Sequence, residues 1–329
     1  MAVSMADITK LRKMTGAGMM DCKNALTTAN GDFDQAMKII REKGQAVAAK
    51  RSDRDASEGC VLTKAENGFA AIIALKCETD FVAKNEDFVK LAQSILDAAV
   101  ANKCKSLDEV KALPLGDTNV AQAVVDRSGI TGEKMELDGY NFIEGDNVAV
   151  YDHMNRHILC TMVQTNLPAA EQAHEVAMQV AAMNPVALDE ASVPQSVKDN
   201  ELKIAIEKTK EEQVKKAVEA ALKKAGFNLY IAENEEHLNE GVMKGNITEA
   251  QAEEIRQLKA KVAEEKAANL PEQMVQNIAN GRMAKFYKEV CLLKQEYIQD
   301  AKLTVADFLK AANKDLTVVA FCRFTLRAE

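Results

Sequence analysis

The chain lacks the patterns that most function classes require. Its seven cysteines, at positions 22, 60, 77, 104, 160, 291 and 322, include no CxxC pair. An odd, scattered set of this kind argues against a disulfide framework and reads as reduced, mostly buried thiols of a cytosolic protein. Of four histidines only His153 and His157 lie close together, in a hairpin-like stretch without further Cys, His or clustered acids at ligand spacing. A zinc site is not expected there, nor any other metal or cofactor. No apolar run is long enough to span a bilayer, and neither a signal peptide nor an Arg- and Ser-rich transit leader is present, so the expected location is the cytoplasm. There is no P-loop, GxSxG, HExxH or dinucleotide fingerprint followed by an acid at the proper distance. Gly16-Ala17-Gly18 follows no strand, which removes a phosphate-cradling role. Excess positive charge is missing too. A formal net charge of -8 at pH 7 opposes a chain whose main work is to neutralise nucleic-acid phosphates.

What is present is a soluble balance, 47% hydrophobic and 28% charged, over 329 residues, enough for two or three cores. Charge is unevenly spread: residues 1–54 carry ten Lys and Arg against six Asp and Glu, net +4, which leaves -12 for the rest. Such a basic head either docks on an acidic partner or merely aids solubility.

The stretch Ala70 to Phe88, AAIIALKCETDFVAKNEDF, organises the remainder. Ala70 to Cys77 reads as a buried strand, being apolar and too short for a typical helix. Asn85 is a good N-cap with Glu86 and Asp87 in the first turn, and Phe88, Leu91, Ala92, Ile95 and Ala99 recur at helical spacing. Between strand and helix, Thr79-Asp80-Phe81 places a carboxylate beside a phenyl ring on a short connection of the kind that often carries binding residues. Spacing leaves two readings open. Phe81 either plugs a partner's pocket or turns inward to staple the helix start, with Asp80 as a turn cap.

Residues 6–44 have the punctuation of three short helices: Ile8, Leu11 and Met14 on one face, a Thr-Gly-Ala-Gly break, Met20 to Ala29, an Asn30-Gly31 stop, then a helix capped by Asp32 and ending at Gly44. Leu11, Ala25, Leu26, Phe33, Ala36 and Ile40 would share its core. Met19 and Met20 either fill that core or adapt to a partner. Gln45 to Glu58 has no apolar period and reads as a linker tethering this head. Glu66-Asn67-Gly68 supplies a hairpin turn before the central strand. Strands followed by helices recur over 139–183, around Gly145-Asp146 and a turn at Asp152 to Asn155. From Ser196 to about Ala225 a Lys/Glu-rich segment carries a narrow seam of Val214, Val218 and Leu222. Thr248 with Gln251 makes a capping box at the start of a return helix. Gly226 to Asn246 is then an inserted tip whose Phe227, Leu229, Tyr230, Ile231 and Met243 need burial in a small module or in a partner. After Asn280-Gly281, Phe286 to Leu292 is expected to extend, Thr304 and Asp307 to cap a short helix, and Leu316 to Leu326 to form a final strand.

TDFVAKNEDF resembles the signature of translation elongation factor Ts, as do TGAGMMD at Thr15 to Asp21, Gly281-Arg282-Met283 and the closing FCRF of Phe321 to Phe324. The resemblance implies an α+β fold: a ubiquitin-associated-like three-helix head (1–44), a linker (45–58), and an antiparallel α+β core of two subdomains (59–138 and 139–191, completed by 285–329). An antiparallel coiled-coil hairpin (192–284) interrupts the second subdomain. It implies guanine nucleotide exchange on elongation factor Tu without covalent chemistry. Thr79, Asp80, Phe81 and Val82 would act beside the nucleotide site, Arg12, Met19 and Met20 in the head would grip the same GTPase domain, and His153 would be a lesser contact. Lys84 reads as solvated. Some relatives pair factor and partner two to two, and many continue into a carboxy-terminal helical module not apparent here. The competing expectation is a coiled-coil adaptor with such a head and no effect on nucleotide release.

Overall fold

In the computed structural model, which describes residues 3–327, the chain folds as two units. One contains the residues up to Leu188 and those from Glu296 onward; the other is Asp189–Gln295.

The first unit begins with the head. Helices α1 (Met5–Thr15), α2 (Met19–Thr28) and α3 (Phe33–Lys50) enclose Ile8, Leu11, Cys22, Ala25, Leu26 and Ala36, with Phe33 and Ile40 packed against them. Ser4 and Asp7 form a capping box on α1, Gly16 closes it in the left-handed conformation, and Asp32 caps α3. The third helix does not stop at Gly44. Gln45 to Lys50 continue it, since one interior glycine costs a helix only about 1 kcal/mol. Gly44 instead marks a close backbone crossing: a Cβ on Gly129 would stand 2.1 Å from the Gly44 Cα, so Gly129 must stay small, whereas a Cβ on Gly44 would meet Gly129 at 3.4 Å. The expected tether is therefore helical as far as Lys50, and the head packs on the core instead of hanging from it.

The core is built on β1 (Glu58–Glu66) and β2 (Phe69–Cys77), joined by Asn67 and Gly68, both at positive φ as a tight two-residue hairpin demands. There follow α4 (Asp80–Ala83), α5 (Glu86–Ala101), α6 (Leu107–Ala112), the two-residue strands β3 (Pro114–Leu115) and β4 (Thr118–Asn119), α7 (Val120–Thr131) and β5 (Met135–Glu144). The first sheet has the order β1-β2-β5. Next come β6 (Val148–Asp152), β7 (Leu159–Thr165) and α8 (Ala170–Met183), and, at the far end of the chain, β8 (Glu296–Tyr297), β9 (Asp300–Thr304), α13 (Val305–Ala312) and β10 (Val318–Thr325). The second sheet has the order β10-β7-β6.

Strand β2 is apolar from Phe69 to Leu75 because it is covered on both faces. Ala71, Ile73 and Leu75 join Phe88, Ala92 and Ile95 in the core under the helices, whereas Ala70, Ile72 and Ala74 meet Cys160 and Met162 of the second sheet. Strand β5 belongs wholly to the first sheet, so the subdomain boundary expected at 138/139 falls inside a strand. The period of 139–152 gave no sign of which sheet each strand would join.

The second unit contains α9 (Gln195–Lys224), α10 (Glu235–Met243), α11 (Glu249–Ala268) and α12 (Glu272–Val290). The return is two helices, not one, because Pro271 cannot continue α11 and instead opens α12. Phe286 to Val290, expected to extend, is helical: Gly281 has open space around it and is tolerated mid-helix among good helix formers. Within the unit, Arg282 reaches the buried Thr209 at 3.1 Å and Glu212 at 2.6 Å, pinning α12 to α9. The tip forms its own core, in which Leu222, Ala232, Leu238, Ala252 and Ile255 are buried with Phe227 and Ile231 against them.

Candidate functional site

Thr79 is the N-cap of α4, a single turn whose residues are all at least partly exposed. Its hydroxyl accepts from Val82 N–H at 3.4 Å and donates to a Glu133 oxygen at 2.6 Å. The connection expected between strand and helix is thus helical in part. Phe81 points out of it, 84% exposed, with Val82 and Ala83 turned toward the core. Of the two readings the residues left open, inward packing of Phe81 is not the one found.

Asp80 and Lys84 are one turn apart and bond at 2.6 Å, so Lys84 is not merely solvated. The ammonium hydrogen bond holds the Asp80 carboxyl below the usual carboxylate range. Asn85 caps α5 as its residue type predicts, accepting from Asp87 and Phe88 N–H at 3.0 and 3.3 Å. Phe88 is fully buried, worth about 1.5–3 kcal/mol of anchoring for the motif's far end.

Besides Glu133, two supporting residues were missed in the sequence. Arg127 of α7 donates to Asn85 Oδ1 at 3.1 Å and pairs with Asp87 at 3.1 Å, and a Cβ on Gly16 would stand 3.7 Å from the same guanidinium. One arginine, its pKa lowered by burial, therefore touches the surroundings of both motifs, TGAGMMD and TDFVAKNEDF. Glu78 accepts from Arg51 at 2.8 Å, from Arg54 at 2.9 Å and from Lys134 N–H at 2.6 Å. These bonds, the backbone one foremost, hold its carboxyl at about 2. No local signal marks either residue, because their partners lie tens of positions away.

Elsewhere in the head, Arg12 is exposed in the last turn of α1, Met20 is 63% exposed at the start of α2, and Met19 is half-buried against the bundle. A cavity of about 450 Å³ lies between the head and α7, lined by Met14, Ala25, Ile40, Asp126 and Ile130 among others; the residues of α4 are not part of it. His153 is exposed in the turn between β6 and β7, with Tyr151 Oη 3.1 Å from its Nδ1. The structure thus brings Thr79, Asp80, Phe81 and Val82 together on one turn, places Arg12, Met19 and Met20 on the head, and sets His153 on the second sheet's connection.

The family model described as Elongation factor TS matches residues 78–328, from the clasped Glu78 through the last strand. The chain belongs to the elongation factor Ts family. Among its relatives, Elongation factor Ts of Bacteroides fragilis is 68% identical over 330 residues, and that of Phocaeicola vulgatus 65% identical over 329, each covering 100% of both chains. Elongation factor Ts of Porphyromonas gingivalis is 44% identical over 330 residues, again 100% of both. Membership makes the chain a factor of translation elongation in protein biosynthesis. These alignments run the full length of both chains, so they include the residues of the tip in the second unit. Among the described residues, no helix is long and apolar enough to cross a membrane.

Proposed function

We propose that the chain binds elongation factor Tu, promotes release of its GDP and stabilises the nucleotide-free form, without making or breaking a covalent bond. The observation that carries this reading is Phe81, a large apolar ring 84% exposed on a capped turn whose neighbours anchor it from both sides. A ring so presented loses little freedom on entering a pocket, so its burial is available to drive rearrangement of the partner. Phe81 wedges beside the nucleotide site while Asp80, paired with Lys84 in the free protein, exchanges that partner for groups that hold phosphate and magnesium. Thr79 and Val82 hold the turn. Arg12, Met19 and Met20 grip the same GTPase domain through the head, and His153 makes a lesser contact with another part of the partner. Exchange by this route requires only that the factor bind empty elongation factor Tu more tightly than the GDP form.

Calorimetric titration into nucleotide-free and GDP-loaded elongation factor Tu tests the reading. Tighter binding to the empty form, by at least about tenfold, is expected. Equal affinity for the two forms would leave no driving force for exchange and favour the adaptor reading.

A further inference from the structure

Cys77 and Met135 are the last paired residues of β2 and β5. Beyond them the strands part, yet their pairing is carried on by side chains. Lys134 N–H donates to the Glu78 carboxylate at 2.6 Å, and Thr79 N–H donates to the Glu133 carboxylate at 3.0 Å. Each carboxylate stands where a ladder carbonyl would, so residue 78 holds 134 while residue 133 holds 79. Glu133 accepts a second bond from Thr79 Oγ1 at 2.6 Å. The Thr79 carbonyl accepts from the Cys77 thiol at 3.3 Å and from Ala83 N–H at 3.1 Å. Every polar atom of Thr79 is thereby engaged. Glu133 is fixed in turn: its carbonyl accepts from the buried Ser128 hydroxyl, and its N–H donates to Thr131 Oγ1 at 3.3 Å.

This matters because α4 is four residues long. One helical turn cannot hold itself in water, since nucleation fixes several residues for a single hydrogen bond. Its direction must come from its ends. The carboxy-terminal end runs into the Asn85 cap of α5, and the amino-terminal end is Thr79, whose backbone and hydroxyl are both bound to Glu133.

We infer that Glu133 is a positioning residue of the exchange surface, holding Thr79 so that the α4 turn presents Phe81 in one orientation. The inference rests on the exchange reading and deepens it. Glu133 touches no nucleotide and acts through the α4 turn, chiefly by the way that turn presents Phe81. Its loss leaves the ring exposed but free to swing, so the partner must pay to order it. Contacts through the head are unaffected, and the half-saturating concentration stays near its wild-type value.

The test is release of a fluorescent GDP from elongation factor Tu over a range of factor concentrations, with wild type, Glu133→Ala, Glu133→Gln, Phe81→Ala and the Phe81→Ala/Glu133→Ala double variant. Expected is a maximal rate reduced by about tenfold in Glu133→Ala, with the half-saturating concentration within about twofold of wild type. Glu133→Gln, whose amide oxygen can still accept from Thr79 N–H, falls between. The double variant is no slower than Phe81→Ala alone, because two residues acting through one ring are not additive. A Glu133→Ala protein that reaches the wild-type maximal rate overturns the inference, even if more of it is needed. So does a double variant slower by the product of the two single losses. If wild type itself fails to accelerate release, it is the exchange reading that falls, and the comparison of maximal rates separates the two failures.

Discussion

Phe81 and Met243 are almost equally exposed, 84% and 88%, yet their settings are opposite. Phe81 rides on a turn whose N-cap has every polar atom bound and whose following helix is anchored by a buried Phe88. Met243 is the last residue of α10, just before a turn through Gly245 at positive φ, and its side chain is a flexible thioether. Exposure alone says that a side chain is available. Only the supporting bonds say that its position is specified, and by that criterion Phe81, and not Met243, is the side chain we propose as a contact.

The contrast can be broken from the tip side with the largest effect. Leu238 is fully buried in the tip core, and Leu238→Ala should cost about 2–5 kcal/mol locally. Hydrogen exchange over 226–247 should rise steeply while GDP release stays at the wild-type rate; a matching loss of exchange activity would place the tip in the mechanism. On the Phe81 side, Thr79→Ala removes the cap and one bond to Glu133. It should cost about 1 kcal/mol in thermal unfolding and loosen the backbone at Phe81, visible as faster amide exchange at Val82.

Acid sharpens the contrast, because the Phe81 side is tied by carboxylates. The Glu78 carboxyl is held at about 2 by Lys134 N–H, Arg51 and Arg54. A depressed carboxylate contributes stability that is fully present above its unfolded value and is lost as pH falls through the folded one. The clasp should therefore weaken only as pH drops from near the ordinary glutamate range toward about 2, and Glu78→Gln should flatten that part of the stability profile. The smallest effects are expected of Met243→Ala, within about 0.5 kcal/mol in stability, and of Lys84→Ala, which removes one exposed, solvent-screened helical pair and should leave the unfolding temperature near that of wild type.

Much of this contrast was legible along the chain, for reasons that are local. The Asn85 cap, the Asn67-Gly68 turn and the Thr248 and Thr304 capping boxes are set by residues within four positions of one another, and all four form. The head core of Leu11, Ala25, Leu26, Phe33, Ala36 and Ile40 follows from helical period alone. What was not legible depends on distant partners. Gly44 looked like a helix stop and is instead the crossing point with Gly129. Gly281 looked like a second stop and lies inside α12. Residues 133 and 127 carried no motif, yet they hold Thr79 and Asn85 from 54 and 42 positions away. Phe81 itself was readable as a ring beside an acid, but whether it faced in or out was decided by bonds that only the fold brings together.

The central claim, that an exposed and pinned Phe81 drives exchange, is tested most directly by one comparison of GDP release. Wild type and Phe81→Ala are each titrated into elongation factor Tu loaded with a fluorescent GDP, after thermal unfolding has established that both are folded. The account predicts that wild type accelerates release and that Phe81→Ala loses at least about tenfold of the maximal rate at unchanged stability. A Phe81→Ala protein as fast as wild type would contradict it.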